Sequence, residues 1–232
     1  MTSINLKQLF DYDTCSFTYL LWDKKDKSTI IIDPVLEQTN RDLELIQKLG
    51  LNLIYILETH VHADHITGAS ILREKTGAKI CYGSRTGVEG ADLLLEDGSK
   101  IKFGDSFIDV LHTPGHTVGC TSYYINKYIF TGDTLFIEGT GRTDFQGGCS
   151  SSAFDSIRNK IFTFPKDTIV YPAHNYKGFN SSTIGHERKF NPNVADHVQK
   201  EDFMEREKNM NRPYPKRFDI AVPANLKCGK NS

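Results

Sequence analysis

Leu53-Ile54-Tyr55-Ile56-Leu57-Glu58-Thr59-His60-Val61-His62-Ala63-Asp64-His65 runs an apolar segment straight into a loop with three histidines and an aspartate. The apolar segment has the length and side chains of a buried strand. Neutral imidazole nitrogens and carboxylate oxygens suit divalent zinc, iron or manganese, and crowding them into one loop is favourable chiefly when a cation offsets the crowding. Metal-ligand chemistry at the end of a strand is therefore the first expectation.

Working upstream, Phe17 to Trp22 and Thr29 to Ile32 flank the charged run Asp23-Lys24-Lys25-Asp26-Lys27, a hairpin with a solvated tip. Thr39-Asn40-Arg41-Asp42 caps a helix with Leu43, Ile46 and Leu49 on one face and Gly50 at its end. Downstream, Ile66 to Gly77 reads as a second helix and Lys79 to Tyr82 as a strand. Asp97-Gly98 is a turn between Leu93 to Leu95 and Ile101 to Phe103, and Phe107 to Leu111 continues in strand style. Ser122 to Ile125 and Tyr128 to Phe130 flank the turn Asn126-Lys127, Ala153 to Phe162 is helical, and Thr168 to Tyr171 is a last strand. Strands in runs with helices between them predict an α/β class, a mixed sheet covered by helices. From about Ile184 the chain turns charged and weakly amphipathic, so residues 1–183 read as the main domain and 184–232 as an extension packed on it.

The bulk composition excludes several partners. Lys plus Arg number 28 against 29 Asp plus Glu in 232 residues, so no net field attracts nucleic acid or an anionic membrane. No apolar run approaches the roughly 18 residues of a membrane span. Cys15, Cys81, Cys120, Cys149 and Cys228 are scattered and form no C-x-x-C pair, which argues against a disulfide framework and a zinc knuckle. The start reads as neither signal nor transit peptide, so a cytoplasmic enzyme acting on a small molecule is expected.

Other strong polar residues also follow strands: His116 in His112-Thr113-Pro114-Gly115-His116, Asp133 in Thr131-Gly132-Asp133-Thr134, and His174 in Tyr171-Pro172-Ala173-His174-Asn175. Sheets gather such loop-borne residues along one edge. With the H-x-H-x-D-H loop, these elements in this order resemble the metallo-β-lactamase superfamily. That resemblance implies a four-layer αββα sandwich with a metal site between the sheets, and leaves the reaction open.

The loop Gly139-Thr140-Gly141-Arg142-Thr143-Asp144-Phe145-Gln146-Gly147-Gly148-Cys149, the stretch Tyr171 to Gly178 and the tail Ala221-Val222-Pro223-Ala224-Asn225-Leu226-Lys227-Cys228-Gly229 narrow the choice. They are similar to the persulfide dioxygenase (ethylmalonic encephalopathy protein-like) family, from Leu9 to Gly229. The alternative is a zinc-dependent glyoxalase II-type hydroxyacylglutathione hydrolase, a family that carries a longer helical C-terminal domain for its glutathione thioester.

The resemblance implies that 1–183 is a metallo-β-lactamase-fold catalytic domain holding one Fe(II) per chain through His60, His116 and Asp133, a facial triad of two histidines and a carboxylate. His62, Asp64, His65 and His174, metal ligands in binuclear relatives, then orient the ligands, or bind a second metal if the site is binuclear. The implied partners are glutathione persulfide and O2, with a homodimer left open. Arg142 is the candidate grip on a glutathione carboxylate, its alternative being a salt bridge with a residue such as Asp144. Tyr176 is expected to point its hydroxyl into the same pocket or to pack on the surface. His112 is expected to order its loop, His186 and His197 to face solvent, and Cys149 and Cys228 to be buried thiols.

Overall fold

The first hairpin shows how the chain sorts itself into layers. β2 (Ser16–Asp23) and β3 (Ser28–Ile32) pair antiparallel, with Leu20 opposite Ile31 and Leu21 opposite Ile30. Successive strand side chains point to opposite faces. Tyr19, Leu21, Ile30 and Ile32 therefore enter one apolar cluster, while Leu20 and Ile31 enter another. Strands buried on both faces belong inside a layered fold.

The computed structural model describes residues 4–230. One sheet is ordered β1 (Ile4–Asp11), β2, β3, β4 (Asn52–Leu57), β5 (Lys79–Gly83), β6 (Leu93–Leu95). The other is ordered β12 (Ser182–Thr183), β11 (Ile169–Pro172), β10 (Tyr128–Gly132), β9 (Thr121–Ile125), β8 (Ser106–His112), β7 (Lys100–Phe103). Phe17, Tyr19, Leu21, Ile30 and Ile32 meet Phe103, Ile108, Val110, Tyr123 and Phe130 between the sheets. α1 (Thr39–Lys48) and α2 (Ala69–Thr76) cover the first sheet through Ile46 and Leu72. α3 (Ser150–Asn159), α4 (Ile184–Phe190) and α5 (Lys200–Asn209) cover the second through Phe154, Ile157, Ile184 and Phe203. The expected four-layer αββα sandwich of the metallo-β-lactamase fold is thus the observed one. Among the described residues no helix is long and apolar enough to cross a membrane.

Several local expectations need correction. The Asp97-Gly98 turn exists, with Gly98 at φ 79°, but it carries the chain from the edge of one sheet to the edge of the other. α1 has Gln38 at its cap position, and Thr39 lies inside the helix with its hydroxyl donating to the Leu36 carbonyl. α2 begins at Ala69 rather than Ile66: Gly68 takes the cap position, its carbonyl accepting the first helical bond from the Leu72 N–H at 3.0 Å, while the Thr67 and Gly68 N–H groups bond to Asn225 and Pro34. Strands β1 and β12 are additions. Cys149 is exposed at the N-terminus of α3, not buried, whereas Cys228 is buried as expected. His197 is exposed, but His186 is only half-exposed and lies 2.9 Å from Glu138.

Candidate metal centre

The two sheets meet along one edge. The Phe17 N–H donates to the Ala173 carbonyl at 2.7 Å, and the Thr121 N–H to the Thr59 carbonyl at 2.8 Å. His60 after β4, His116 after β8, Asp133 after β10 and His174 after β11 all emerge at this edge. Gly115 has φ 152°, and a Cβ there would lie 2.2 Å from Ala153 Cα, so only glycine lets the His116 loop rest on α3.

Ligand atoms of His60, His116 and Asp133 all lie within 4.8 Å of one another. Hydrogen bonds on the far side of each ring set which nitrogen faces inward. His116 Nδ1 is 2.7 Å from the Arg142 carbonyl, an acceptor, so Nδ1 carries the proton. Its Nε2 lone pair then points to Asp133, whose Oδ2 is 3.5 Å away. His60 Nδ1 is 3.0 Å from the Thr59 hydroxyl, which itself donates to Asp33 Oδ2 at 2.8 Å. That hydroxyl can only accept from His60, which leaves His60 Nε2 free. Burial holds the His60 imidazole well below the usual histidine range, and neighbouring His62 and His116 push it the same way, so it is neutral.

Asp133 Oδ1 is buried without a hydrogen-bond partner. Such an oxygen is costly unless something supplies positive charge. Two inward lone pairs beside an orphaned carboxylate oxygen match the donor set of a divalent cation.

A second cluster lies beside the first, with ligand atoms of His62, Asp64 and His65 again within 4.8 Å. Asp64 Oδ2 accepts from His65 Nδ1 at 2.9 Å and from the Ser16 hydroxyl at 3.0 Å. His65 Nε2 is left buried and unpartnered. His174 bridges the clusters: its Nδ1 is 3.2 Å from the Cys15 carbonyl, and its Nε2 is 3.6 Å from both Asp64 Oδ2 and Asp133 Oδ1. Burial lowers the His174 pKa, but the Asp133 and Asp64 carboxylates outweigh it and raise it.

His62 Nε2 lies 3.2 Å from Asp33 and 3.4 Å from Glu58. Burial opposes its protonation, yet these carboxylates outweigh burial and raise its pKa well above the usual value. Only Nδ1 remains to face Asp64, 4.0 Å away. The Glu58 carboxyl is fully buried and accepts from the Thr67 hydroxyl. Asp33 and Glu58 were missed in the sequence although each directly follows a strand, the same position that singles out the histidines.

Arg142 is committed on one edge. Nε and Nη2 fork onto Asp144 at 2.7 and 2.8 Å, Nη1 donates to the Pro213 carbonyl at 2.8 Å, and the guanidinium lies 4.5 Å over the Phe145 ring. The salt-bridge alternative is therefore present, and only the N–H groups left over by Asp144 and Pro213 can meet a ligand. Tyr176 is 66% exposed and stacks its ring on His174 at 5.3 Å and 12°. His112 stays out of both clusters, with Nε2 on the Leu95 carbonyl at 2.9 Å.

Comparison with known proteins adds to this geometry. The metallo-beta-lactamase superfamily profile matches residues 16–174. The human protein named persulfide dioxygenase ETHE1, mitochondrial, is 46% identical over 97% of this chain and 89% of its own length. The crystal structure of ETHE1 from Myxococcus xanthus superposes with a TM-score of 0.95 at 42% identity, over 97% of this chain and all (100%) of that one. A metallo-beta-lactamase from Staphylococcus aureus covers 99% of this chain and 74% of its own at a TM-score of 0.91, and its 24% identity speaks for the fold alone. The chain belongs to the persulfide dioxygenase family of the metallo-β-lactamase superfamily.

Proposed function

We propose that the protein oxidises glutathione persulfide with O2 and water to sulfite and glutathione, at one Fe(II) held by His60, His116 and Asp133. The observation that carries this is the pair of inward-facing Nε2 atoms converging on Asp133, whose Oδ1 is buried without a hydrogen-bond partner. Bound iron supplies the electrons that activate O2, which a d10 zinc ion lacks.

The protein's own residues do the rest. Thr59 and the Arg142 carbonyl hold the two imidazoles in the tautomer that offers Nε2. His174 balances charge between the Asp133 and Asp64 carboxylates, and His65 is fixed by Asp64. With Nε2 of His62 engaged by Asp33 and Glu58, the second cluster serves to orient the first rather than to hold another metal. Tyr176, over His174, and the unused N–H groups of Arg142 are the contacts for the glutathione moiety. Residues 184–232 belong with the catalytic domain as an extension, and five unpaired cysteines fit a reducing cytoplasm.

An oxygen electrode coupled to sulfite analysis tests the reaction. One sulfite and one glutathione per O2 consumed is the expected balance. Hydrolysis of S-D-lactoylglutathione without oxygen uptake would instead make the protein a glyoxalase II-type thioester hydrolase.

A further inference from the structure

The tail motif Ala221 to Asn225 lies on α6 (Phe218–Asn225), and nothing in the reaction so far uses it. Its last residue is fully buried against the histidine loop. The Asn225 Oδ1 accepts the Thr67 N–H at 2.9 Å, and its Nδ2 donates to the carbonyls of His62 at 2.9 Å and His65 at 2.8 Å. We propose that Asn225 is a positioning residue of the metal centre: its carboxamide fixes the backbone of the histidine loop and so the aim of the imidazoles the loop carries.

The loop between β4 and α2 is irregular, so its carbonyls at 62 and 65 have no strand or helix partner. A buried loop of this kind needs side chains to satisfy its backbone. The pattern here is two acceptors and one donor, which only a carboxamide matches: aspartate has no donors, and serine or threonine has one. The same pattern fixes which end of the Asn225 amide is oxygen.

Asn225 acts from a rigid seat. Ala221 and Ala224 pack on Ile66 and Leu36, the Ser70 hydroxyl donates to the Cys228 carbonyl at 2.8 Å, and the Glu89 N–H donates to the Leu226 carbonyl at 2.7 Å. Gly229 has φ 78°, and a Cβ there would lie 2.2 Å from the Thr67 carbonyl, so the tail rests directly on the loop. The segment before α6 also reaches the centre through a second ligand: the Pro213 carbonyl holds the Arg142 side chain and the Arg142 carbonyl holds His116. Metal sites lose affinity when their supporting bonds slacken, typically ten- to a hundred-fold per lost partner.

This inference rests on the histidine cluster being a metal site, so the test uses Co(II) binding rather than turnover. Metal-free Asn225→Ala and Asn225→Ser are titrated with Co(II), following the visible d–d absorption, beside Phe203→Leu, a buried change in the opposite helical layer. The Asn225 variants are expected to bind Co(II) about ten- to a hundred-fold more weakly with an altered absorption band. Phe203→Leu, even with a comparable fall in Tm, is expected to keep the wild-type affinity and band. Wild-type affinity and band in the Asn225 variants, or an equal loss in Phe203→Leu, overturns the proposal. Failure of the wild-type protein to bind Co(II) overturns the metal-site reading and this inference with it. Should the Asn225 variants not fold, wild-type hydrogen exchange decides: metal loading should slow the Thr67 amide at least about tenfold more than the amides of α3, and equal slowing overturns the role.

Discussion

His116 donates its Nδ1–H to the carbonyl oxygen of Arg142 at 2.7 Å, so one backbone segment aims a metal-facing imidazole and carries the arginine beside it. The residue before Arg142 leaves no slack. A Cβ on Gly141 would lie 2.2 Å from the Asp133 carbonyl and 3.1 Å from His116 Cγ. Gly141→Ala should therefore disturb two ligands at once and cut bound iron to about a tenth of wild type, in line with the loss of supporting contacts around a metal. Metal analysis of the purified variant checks this; stoichiometric iron would mean the loop yields more easily than the distances imply.

Arg142→Ala removes a side chain whose Asp144 fork is structural and whose N–H groups not used by Asp144 and Pro213 are the proposed substrate contact. The loop keeps other holds, including the Gly141 N–H on the Asp133 carbonyl and Gln146 on the Val61 carbonyl. Iron content should stay near wild type while KM for glutathione persulfide rises about tenfold, the size of one lost charged hydrogen bond. An unchanged KM would leave Arg142 with the Asp144 and Pro213 contacts alone.

Glu58 and Asp33 share the His62 imidazole in a fully buried group. Removing the Glu58 side chain leaves Asp33 on His62 but opens a buried cavity and takes the acceptor from the Thr67 hydroxyl, which costs about 2–5 kcal/mol. Glu58→Ala should show that loss in urea denaturation, and Glu58→Gln, which still accepts from Thr67, a smaller one of about 1–3 kcal/mol. Equal stability of all three proteins would remove Glu58 from the group.

Asp42 is buried in the first turn of α1, and burial lifts its pKa from 3.8 to about 6 despite the ion pair with Arg41. A carboxyl raised by folding contributes its full stability below its unfolded value and loses it as pH rises through the folded value. Above pH 6, Asp42 thus weakens the fold. Asp42→Asn should raise stability by on the order of 1–3 kcal/mol at pH 8, with the gain shrinking to nothing near pH 4. A gain that is the same at both pH values would point to packing instead of charge.

The histidines at strand ends were legible because apolar runs and metal-ligand residue types are both local signals, and the sheets do gather them at one edge. Asp33 and Glu58 stand in the same strand-end positions, but an isolated acid after a strand looks like a solvated turn until burial is known. The short β6 and β7 segments were visible, whereas their assignment to different sheets depends on pairing with β5 and β8, which no local pattern encodes. Strand β1 lacks clean alternation in Ile4 to Phe10, and its antiparallel partnership with β2 supplies what the pattern does not. Asn225 was out of reach for a different reason. One asparagine in the apolar stretch Ala221 to Leu226 has no periodicity of its own, and its partners His62 and His65 lie 163 and 160 residues away in sequence.

The most direct measurement is anomalous diffraction at the iron edge from crystals of anaerobically purified protein. A single iron within bonding distance of His60 Nε2, His116 Nε2 and Asp133 is the expected result. A second metal on Asp64 and His65, or zinc in place of iron, would contradict the mononuclear iron triad.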